Sequence, residues 1–514
     1  MPLTLRHHLL RVTRSCTRSV PRTSSSSHSV SHRSLHIMSA PATSLYDAVV
    51  IGSGQAGTPL ASAFANAGQK TLLIERSHIA GCCVNEGCTP TKTMIASGRA
   101  AYLARRGQDY GVHTTDAKGA NQVWIDMQKV RQRKRDIVDS FRGGSEKRLK
   151  DAGVEVLMGE ASFVAAMELR VKLDDGSEKR VEGKKIFINV GERPAPPSFP
   201  GVDKLEKEQV LDSTTIQELG AVPERLVVIG GGYVGVEFAQ LMSRLGAHVT
   251  VVQRGKQLLP REDPEVAETL REILEEDGLD IRLGSEITGA EPVNGDKFTL
   301  KIRTEHEDNI TGTHILFAAG RVPNTESLNL KSAGIAMDKR GYIVADEFLA
   351  TSAKSVYVLG DVKGPPAFTH ISYDDFRIIK RNLIDSSEQL NKLSTKDRLV
   401  PYVVYTDPQL GHVGFHEREA RTTFPGRAIR TAKMPMAYVA RALETDESRG
   451  LMKAVVDGDS GQILGFTCLG IEGGEVMAVV QTAMMGGVTY QQLQNAVWAH
   501  PSLAESLNNL WGFL

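Results

Sequence analysis

Two glycine-rich segments, each preceded by an apolar run, constrain the fold of this 514-residue chain more than any other feature. Gly52-Ser-Gly54-Gln-Ala-Gly57 follows the run at 46–51, and Gly230-Gly-Gly232-Tyr-Val-Gly235 follows the run at 226–229. Glycines at this spacing let a strand turn tightly into a helix whose N-terminus binds a pyrophosphate. Two complete fingerprints therefore predict two Rossmann-like domains with two dinucleotides, a pattern typical of enzymes that pass electrons between a nicotinamide and a flavin.

The residue that ends the strand after each fingerprint indicates which nucleotide binds there. The strand at 70–74 ends in Glu75, an acid that can accept hydrogen bonds from ribose hydroxyls. The strand at 248–252 is followed by Gln253 and Arg254, and a neutral residue followed by arginine fits a 2′-phosphate. Gly235 is common in NAD binders, so NADH stays open, but the sequence favours NADPH.

A pair of cysteines, Cys83 and Cys88, follows the first fingerprint by about one βαβ unit. Thiols beside a bound dinucleotide predict a dithiol that exchanges electrons with a flavin. The alternatives are a structural disulfide or half of a zinc site. Zinc usually needs a second ligand pair, which the nearby sequence lacks, and structural disulfides are uncommon in intracellular chains.

The run from Gly81 to Lys92, Gly-Cys-Cys-Val-Asn-Glu-Gly-Cys-Thr-Pro-Thr-Lys, resembles the redox signature of the flavin-dependent pyridine nucleotide-disulfide oxidoreductases. That family includes glutathione reductase, dihydrolipoyl dehydrogenase and mercuric reductase, and the likeness runs from about Tyr46 to the C-terminus. It implies an α/β fold with two Rossmann-like dinucleotide-binding domains, for FAD and NAD(P), and a C-terminal α+β dimerisation domain. It also implies a homodimer with FAD and a nicotinamide cofactor.

The resemblance assigns roles to the residues around the cysteines. Cys88 is the thiol that makes a charge-transfer contact with the flavin, and Cys83 is the outer thiol that attacks the substrate. Such a thiol needs a lowered pKa, and the helix start after Pro90 offers partial positive charge. Lys92 matches the lysine near the flavin N5, and Glu237 matches its ion-pair partner.

Other motifs complete the implied cofactor sites. Gly360-Asp361 resembles the second FAD motif, whose aspartate binds the ribityl chain. Tyr233 matches an aromatic residue that covers the flavin until the nicotinamide displaces it, with simple packing as its alternative role. The expected cofactor residues are Gly52, Gly54, Gly57, Glu75, Gly360 and Asp361 for FAD, and Gly230, Gly232, Tyr233, Gly235, Gln253, Arg254 and Gly320 for NAD(P).

His500-Pro-Ser-Leu-Ala-Glu505, near the C-terminus, resembles the family motif whose histidine reaches into the active site of the partner subunit. There the histidine exchanges a proton with the outer thiol, a task that suits its near-neutral pKa, and the glutamate orients it. If His500 has this role, a single chain cannot complete the site. Together the motifs predict five segments: a mitochondrial leader at 1–44, an FAD-binding domain at 45–194 and 322–398, an NAD(P)-binding domain at 195–321, and an interface domain at 399–514.

The first 46 residues contain six arginines, no lysine and no acidic residue. This Arg- and Ser-rich composition is typical of a mitochondrial transit peptide, with a tail that carries no address as the alternative. We therefore expect a mitochondrial matrix location, and a start at Met38 would give a cytosolic form. Without those arginines the chain has 55 basic and 61 acidic residues, which argues against nucleic acid as a partner. No apolar run is long enough to span a bilayer, so we expect no membrane partner.

The electron acceptor is less well defined. The segments at 403–409 and 368–376 resemble mercuric reductases and bacterial flavoproteins for reactive-chlorine resistance, which are linked to copper(II) reduction. We expect a disulfide or a soft metal ion as substrate, with transient metal binding at Cys83 and Cys88 and no resident metal. The alternatives are a mitochondrial dihydrolipoyl dehydrogenase, a thiol-independent flavin transhydrogenase and a non-catalytic flavoprotein. Cys82 is either a third metal-binding thiol or a small packed residue.

Overall fold

The computed structural model describes residues 43–113, 123–293, 296–304, 306–386, 390–396 and 398–514. Residues 1–42, which make up almost all of the predicted leader, lie outside the described residues, and the first strand begins at Ser44. Among the helices of the described ranges, none combines the length and the apolar character needed to cross a membrane.

The described ranges contain strands and α-helices that alternate through most of the chain. The strands are β1 (Ser44–Tyr46), β2 (Ala48–Ile51), β3 (Thr71–Glu75), β4 (Glu155–Ala165), β5 (Glu168–Leu173), β6 (Glu178–Gly183), β7 (Ile186–Ile188), β8 (Glu192–Pro194), β9 (Val210–Leu211), β10 (Arg225–Ile229), β11 (His248–Val252), β12 (Asp280–Arg282), β13 (Glu286–Pro292), β14 (Phe298–Arg303), β15 (Glu307–Gly312), β16 (His314–Phe317), β17 (Arg321–Pro323), β18 (Val356–Val358), β19 (Tyr402–Val404), β20 (Gln409–Gly414), β21 (Ile429–Pro435), β22 (Leu451–Asp457) and β23 (Ile463–Gly470). The helices are α1 (Gly57–Asn66), α2 (Gly81–Asn85), α3 (Cys88–Arg105), α4 (Met127–Asp151), α5 (Tyr233–Leu245), α6 (Pro264–Glu276), α7 (Thr369–Leu383), α8 (Glu417–Thr423), α9 (Ala440–Glu444), α10 (Gly473–Met485) and α11 (Tyr490–Gln494).

The first sheet has the strand order β1-β6-β5-β4-β3-β2-β7-β18. The strands from β4 to β18 in this order are parallel. Strands β2, β3 and β7 are buried along their whole length, as expected for a parallel sheet covered on both faces. Because β18 comes from a distant part of the chain, this sheet is built from two separate segments.

The second sheet is parallel, with the order β12-β11-β10-β16-β9. A small antiparallel sheet of β13, β14 and β15 shares an apolar core with it, in which Phe298 and Leu300 pack with Val227 and Val252. Both glycine fingerprints therefore lie where the sequence predicts them, between a buried strand and a helix. The two-stranded pair of β8 and β17 connects the regions around the two parallel sheets.

The C-terminal region is an antiparallel sheet with the order β19-β20-β23-β22-β21. Helix α10 covers it through a core that includes Val476, Met477 and Val480. The predicted fold class is confirmed: two Rossmann-like units and a C-terminal α+β unit. The residue boundaries between domains stay predictions.

Candidate active site

The two cysteines lie close to the point where helix α2 ends and helix α3 begins. Cys83 lies in α2, Cys88 is the first residue of α3, and Gly87 lies just before α3. A Cβ at Gly87 would lie 3.1 Å from the Cα of Cys83, so glycine lets the helices meet closely. The hydroxyl of Thr369 donates to Sγ of Cys83 at 2.9 Å and lies 3.5 Å from Sγ of Cys88. Thr369 therefore bridges two free thiols.

The two thiols of this pair differ in pKa. A hydrogen bond from Cys83 lowers the pKa of Cys88 to about 6, against the opposing effect of burial, and the charge of Lys92 assists. The same hydrogen bond, together with burial, raises the pKa of Cys83. At neutral pH the reduced pair is thus a thiolate at Cys88 and a thiol at Cys83.

The expectation that the outer thiol has a lowered pKa is therefore wrong for a single chain. Helix α3 begins at Cys88 rather than after Pro90, so its N-terminal partial charge favours the thiolate of Cys88. Cys83 instead donates its proton to that thiolate and needs a base from outside the pair before it can attack a substrate.

The ion pair expected from sequence lies next to Cys88. Nζ of Lys92 is 2.7 Å from Oε2 of Glu237, and Oε1 of Glu237 accepts from the backbone N–H of Tyr405 at 2.8 Å. Burial opposes the charge on Lys92, but Glu237 and Cys88 raise its pKa. The ammonium therefore stays charged beside the Cys88 thiolate.

A cleft of about 250 Å³ runs from the first fingerprint to Cys82 and Cys83. Gly52 has a φ of 95°, and a Cβ there would lie 2.3 Å from the carbonyl oxygen of Asn189. A Cβ at Gly57 would lie 2.1 Å from the carbonyl oxygen of Gly52. Only glycine fits at these positions, so the tight turn from β2 into α1 can bring the backbone close to a phosphate. Gly54 lines the same cleft.

Two carboxylates, those of Glu75 and Asp361, line this cleft. Oε2 of Glu75 accepts from the backbone N–H and the hydroxyl of Ser53, at 2.9 and 2.7 Å. Glu75 thus lies at the strand end over the fingerprint, as predicted. Asp361 lines the cleft, and burial raises its pKa while Arg321 and Lys363 oppose that shift. Glycines at a helix N-terminus, an acid at a strand end, Asp361 and a charged Lys92 together fit FAD.

A buried ion cluster supports the Gly360-Asp361 loop. The backbone N–H of Gly360 donates to Oδ2 of Asp375 at 2.8 Å. Asp375 is completely buried and pairs with Nζ of Lys363 at 3.2 Å and with Arg398 at 2.9 Å. Because Lys363 and Arg398 share this single buried carboxylate, Asp375 fixes the loop that carries Asp361.

Asp375→Asn should weaken FAD retention and lower the melting temperature. The change leaves two cations without their shared anion, and breaking a buried ion pair on one side costs about 3–5 kcal/mol. The measurements are the flavin-to-protein absorbance ratio after gel filtration and the thermal unfolding midpoint. Asp374→Asn is the control, since Asp374 is 35% exposed and pairs with the same Arg398 at 3.1 Å. Equal losses in both variants would contradict the role given to Asp375.

The second fingerprint has the same close packing. A Cβ at Gly235 would lie 1.9 Å from the carbonyl oxygen of Gly230, so the start of α5 is open to a pyrophosphate. The side-chain oxygen of Gln253 accepts from the backbone N–H of Gly231 at 3.1 Å, and Arg254 beside it is exposed. A second pocket next to this loop is lined by Gly232, Tyr233 and Gly320, together with Arg321. All the expected NAD(P) residues thus lie around one helix start and its pocket, and they fit a second dinucleotide.

Cys82 faces the FAD cleft rather than a packed core. Its Sγ accepts a hydrogen bond from Nη2 of Arg321 at 3.6 Å, and burial raises its pKa although Arg321 opposes the shift. The sulfurs of Cys82, Cys83 and Cys88 do not gather within 4.8 Å of one another, unlike a three-ligand group. The packing interpretation of Cys82 and the three-thiol metal interpretation both lose support.

His500 lies away from the thiol pair of its own chain, with 71% of its side chain exposed. Its Nδ1 lies 3.0 Å from Oε2 of Glu505, whose side chain is only 17% exposed. Within the described residues of one chain, no hydrogen bond joins His500 to Cys83 or Cys88. The glutamate holds the ring, and Nε2 points away from that contact.

Sequence reasoning missed three supporting residues: Thr369, Asn189 and Asp375. Oδ1 of Asn189 accepts from the N–H of Gly57 at 2.8 Å, and its Nδ2 donates to the carbonyl of Leu359 at 2.9 Å. Of the three, Thr369 was the easiest to find from sequence, because it is the first residue of α7 and lies in the segment at 368–376 that resembles known flavoproteins. Asn189 and Asp375 act through contacts that span more than ten residues of sequence, and no local pattern marks them.

Comparisons with known proteins agree with this geometry. The family described as pyridine nucleotide-disulphide oxidoreductase matches residues 46–375, and its dimerisation domain matches 400–510. The chain is 35% identical over 473 residues to the probable pyridine nucleotide-disulfide oxidoreductase RclA of Escherichia coli, covering 91% of this chain and 99% of that one. It is 32% identical over 466 residues to a mercuric reductase of Staphylococcus aureus, covering 90% and 81%. A solved Cu(II) complex of the HOCl-induced flavoprotein disulfide reductase RclA from E. coli superposes with a TM-score of 0.81 at 34% identity, covering 92% of this chain and 100% of that one.

The predicted mitochondrial matrix location is wrong. The relatives that match the chain over nine tenths of its length are proteins of bacteria such as E. coli, S. aureus and Thermus scotoductus, and nothing in these matches supports a transit peptide. The prediction rested on composition alone, and an Arg- and Ser-rich segment without acids does not by itself encode an address.

Proposed function

The chain belongs to the pyridine nucleotide-disulphide oxidoreductase family, and we propose that it passes electrons from NADPH through FAD to the Cys83–Cys88 dithiol and on to a soft metal ion or a disulfide. It is a flavin-dependent NAD(P)H oxidoreductase, as the family match and the relatives establish. The observation that carries the proposal is the thiol pair bridged by Thr369, in which Cys83 lines the cleft and Cys88 is the thiolate.

FAD, when bound, would accept two electrons as hydride from the nicotinamide and pass them on to the disulfide. The residues of this chain hold and place the protons of that exchange. Reduction of the Cys83–Cys88 disulfide leaves one proton on Cys83 and a negative charge on Cys88, which Lys92 stabilises. Glu237 keeps the Lys92 ammonium in place at 2.7 Å. Attack by Cys83 then requires removal of its proton, the task we assign to His500 of the partner subunit.

A soft metal ion is the acceptor that we favour. Thiolates select soft ions such as Hg(II) and copper, and two thiols are a sufficient chelate for a transient complex. The similarity to mercuric reductases and to a flavoprotein solved with Cu(II) supports the same choice. Each NADPH supplies two electrons as a hydride, so it would reduce one Hg(II), two Cu(II) or one disulfide, and the disulfide would take up one further proton from solvent.

NADPH is the donor that we favour over NADH. Gln253 is neutral and already accepts a hydrogen bond from the glycine loop, so it adds no charge that would repel a 2′-phosphate. Arg254 is exposed immediately beside it. An arginine there can pair with the 2′-phosphate, which only NADPH carries.

The assembly that we propose is a homodimer formed by residues 399–514. The match to the family's dimerisation domain begins at residue 400. In the single chain Tyr438, Met485 and Val497 are 62%, 72% and 101% exposed. Apolar side chains so exposed on a dimerisation domain fit a surface covered by a second copy.

The test is an anaerobic titration of the FAD-loaded protein, first with NADPH and then with NADH. We expect two electrons to enter with a long-wavelength absorbance band from the Cys88 thiolate beside the flavin, and NADPH to act at roughly tenfold lower concentration. The reduced protein is then mixed with Hg(II), Cu(II), lipoamide or glutathione disulfide, and reoxidation is followed. Fastest reoxidation by lipoamide would favour a dihydrolipoyl dehydrogenase, and bleaching of the flavin without the band would contradict the dithiol route.

A further inference from the structure

The loop at 405–408, which joins β19 to β20, is fixed to the two helices α3 and α5. Gln240 of α5 accepts from the backbone N–H of Asp407 and donates to its carbonyl oxygen, both at 2.8 Å. The Asp407 carboxylate pairs with Arg99 of α3 and with Arg244 of α5. The loop belongs to the region that matches the family's dimerisation domain, and these contacts hold it against the helices of the other two units.

The first residue of this loop, Tyr405, contacts both members of the Lys92–Glu237 ion pair. Its backbone N–H donates to Oε1 of Glu237 at 2.8 Å, and Oε2 of the same carboxylate lies 2.7 Å from Nζ of Lys92. Nζ of Lys92 also lies over the Tyr405 ring, 4.9 Å from its centroid. A cation within about 6 Å of an aromatic centroid is attracted by the face of the ring. The ion pair therefore has a third member, which comes from the C-terminal region.

The Lys92 ammonium has a second anion to serve, the Cys88 thiolate. Lys92 lies four residues after Cys88 on α3, and residues at this spacing lie on the same face of a helix. The hydrogen bond from Cys83 and, after it, the charge of Lys92 lower the pKa of Cys88 against burial. A lysine ammonium turns freely on its long side chain. The carboxylate and the ring restrain an ammonium that could otherwise turn from the thiolate to water.

The ring of Tyr405 makes these contacts without its hydroxyl. Among the described residues the hydroxyl has no hydrogen-bond partner, and the residue is 37% exposed. The charged and titratable groups that act on Tyr405 are Lys92, Glu237, Cys88 and, from α10, Glu475. Lys92 is the one cation of this group, so the aromatic face has a single charge to attract.

We propose that Tyr405 is a positioning residue whose ring holds the Lys92 ammonium beside the Cys88 thiolate. This proposal rests on the proposed function, since it requires that Cys88 be the thiolate in contact with the flavin. Without the ring, the ammonium would be open to water on one side and would leave the thiolate with less compensating charge. The thiolate would then form only at higher pH.

The test follows the long-wavelength band of the Cys83→Ser holoprotein, in which Cys88 is the remaining thiol of the pair, as the pH is raised from acid to neutral. Adding Tyr405→Leu should move the midpoint upward by roughly half a pH unit, about a threefold change in the ionisation constant. Adding Tyr405→Phe should leave the midpoint unchanged, because this variant keeps both the ring and the backbone N–H. A merely structural role would not shift the ionisation of one thiol in this way.

Tyr373→Leu is the matched control. Tyr373 lies in α7, is 41% exposed and has the guanidinium of Arg377 over its ring at 5.0 Å, so it has the same kind of contact with a different cation. Its loss should leave the midpoint of the Cys88 band unchanged. An equal shift in Tyr373→Leu and Tyr405→Leu would contradict a specific role for Tyr405.

A double-variant cycle shows whether the ring acts through Lys92. In a Lys92→Met background, Tyr405→Leu should cause no further shift. An equal shift with and without Lys92, or a shift in Tyr405→Phe as large as in Tyr405→Leu, would overturn the inference. Tyr405→Met also lacks an aromatic face and gives the same comparison if Tyr405→Leu does not fold.

The parent protein separates this inference from the proposed function. If Cys83→Ser alone shows no band at any pH, the thiolate–flavin contact fails and both proposals fall. If the band is present and its midpoint does not move in Tyr405→Leu, the proposed function stands and the role of Tyr405 is overturned.

Discussion

Replacing Cys88 by serine should abolish both NADPH-dependent acceptor reduction and the long-wavelength absorbance of the two-electron reduced protein. The rate should fall by about 10³-fold or more, because no dithiol can form and the remaining thiol has no thiolate partner. Cys83→Ser should cause the same loss of turnover but show the band before any reduction, while the flavin is still oxidised, since Cys88 stays next to Lys92 at the start of α3. Stopped-flow absorbance and steady-state NADPH oxidation measure the two effects separately.

The pH dependence of that band tests the charge assignment directly. The pKa of Cys88 is lowered to about 6, so the thiolate is present above this value and the band should fade as the pH falls through about 6. Cys468→Ala is the control and should leave the band and its pH dependence unchanged. Cys468 is fully buried in β23, and burial raises its pKa to about 12, so it contributes no thiolate in this pH range. Cys82→Ser should leave disulfide turnover intact. A band that survives in Cys88→Ser but not in Cys83→Ser would reverse the assigned roles of the two thiols.

The parts of the fold that local pattern determines were predictable. The predicted strand at 248–252 and the two strand–glycine–helix units are present as expected, because the apolar run and the glycine spacing are properties of adjacent residues. The run at 46–51 was expected to form one strand but is divided at Asp47 into β1 and β2. Asp47 accepts from the backbone N–H of Lys70 and pairs with Lys184 at 2.8 Å, so contacts distant in sequence set that break.

The site was predictable where one motif carries several chemical groups. Cys83, Cys88 and Lys92 lie within ten residues, and their order along α2 and α3 sets their relation to one another. The proton distribution between the thiols was not predictable from that order. It depends on where α3 begins and on the hydroxyl of Thr369, which reaches the pair from α7 across more than 280 residues of sequence.

A heterodimer with one Cys83→Ser subunit and one His500→Ala subunit should retain about half of the wild-type acceptor reduction, because one of its two sites has both residues intact. The two homodimers should each lose about 10²-fold or more of disulfide turnover, since one lacks the attacking thiol and the other lacks its base. The reason lies in the structure of one chain. The hydrogen bond to Cys88 and burial raise the pKa of Cys83, so this thiol needs a base. His500 pairs with Glu505 and is 71% exposed, and it does not supply that base to the thiol of its own subunit. Co-expression with two different affinity tags yields the heterodimer, and NADPH oxidation with a disulfide measures it.

The controls distinguish shared sites from simple averaging of subunits. A heterodimer in which one subunit carries both changes and the other is wild type has no intact site if His500 acts across the interface, because each active site then lacks one of the two residues. If His500 served its own chain, that arrangement would keep half of the activity and the split arrangement would have none. The two arrangements contain the same substitutions in the same assembly, so differences in folding or dimer stability cancel. Half activity in the double-variant heterodimer together with none in the split one would show that His500 acts within its own subunit, and the proposed obligate dimer would then lose its catalytic basis.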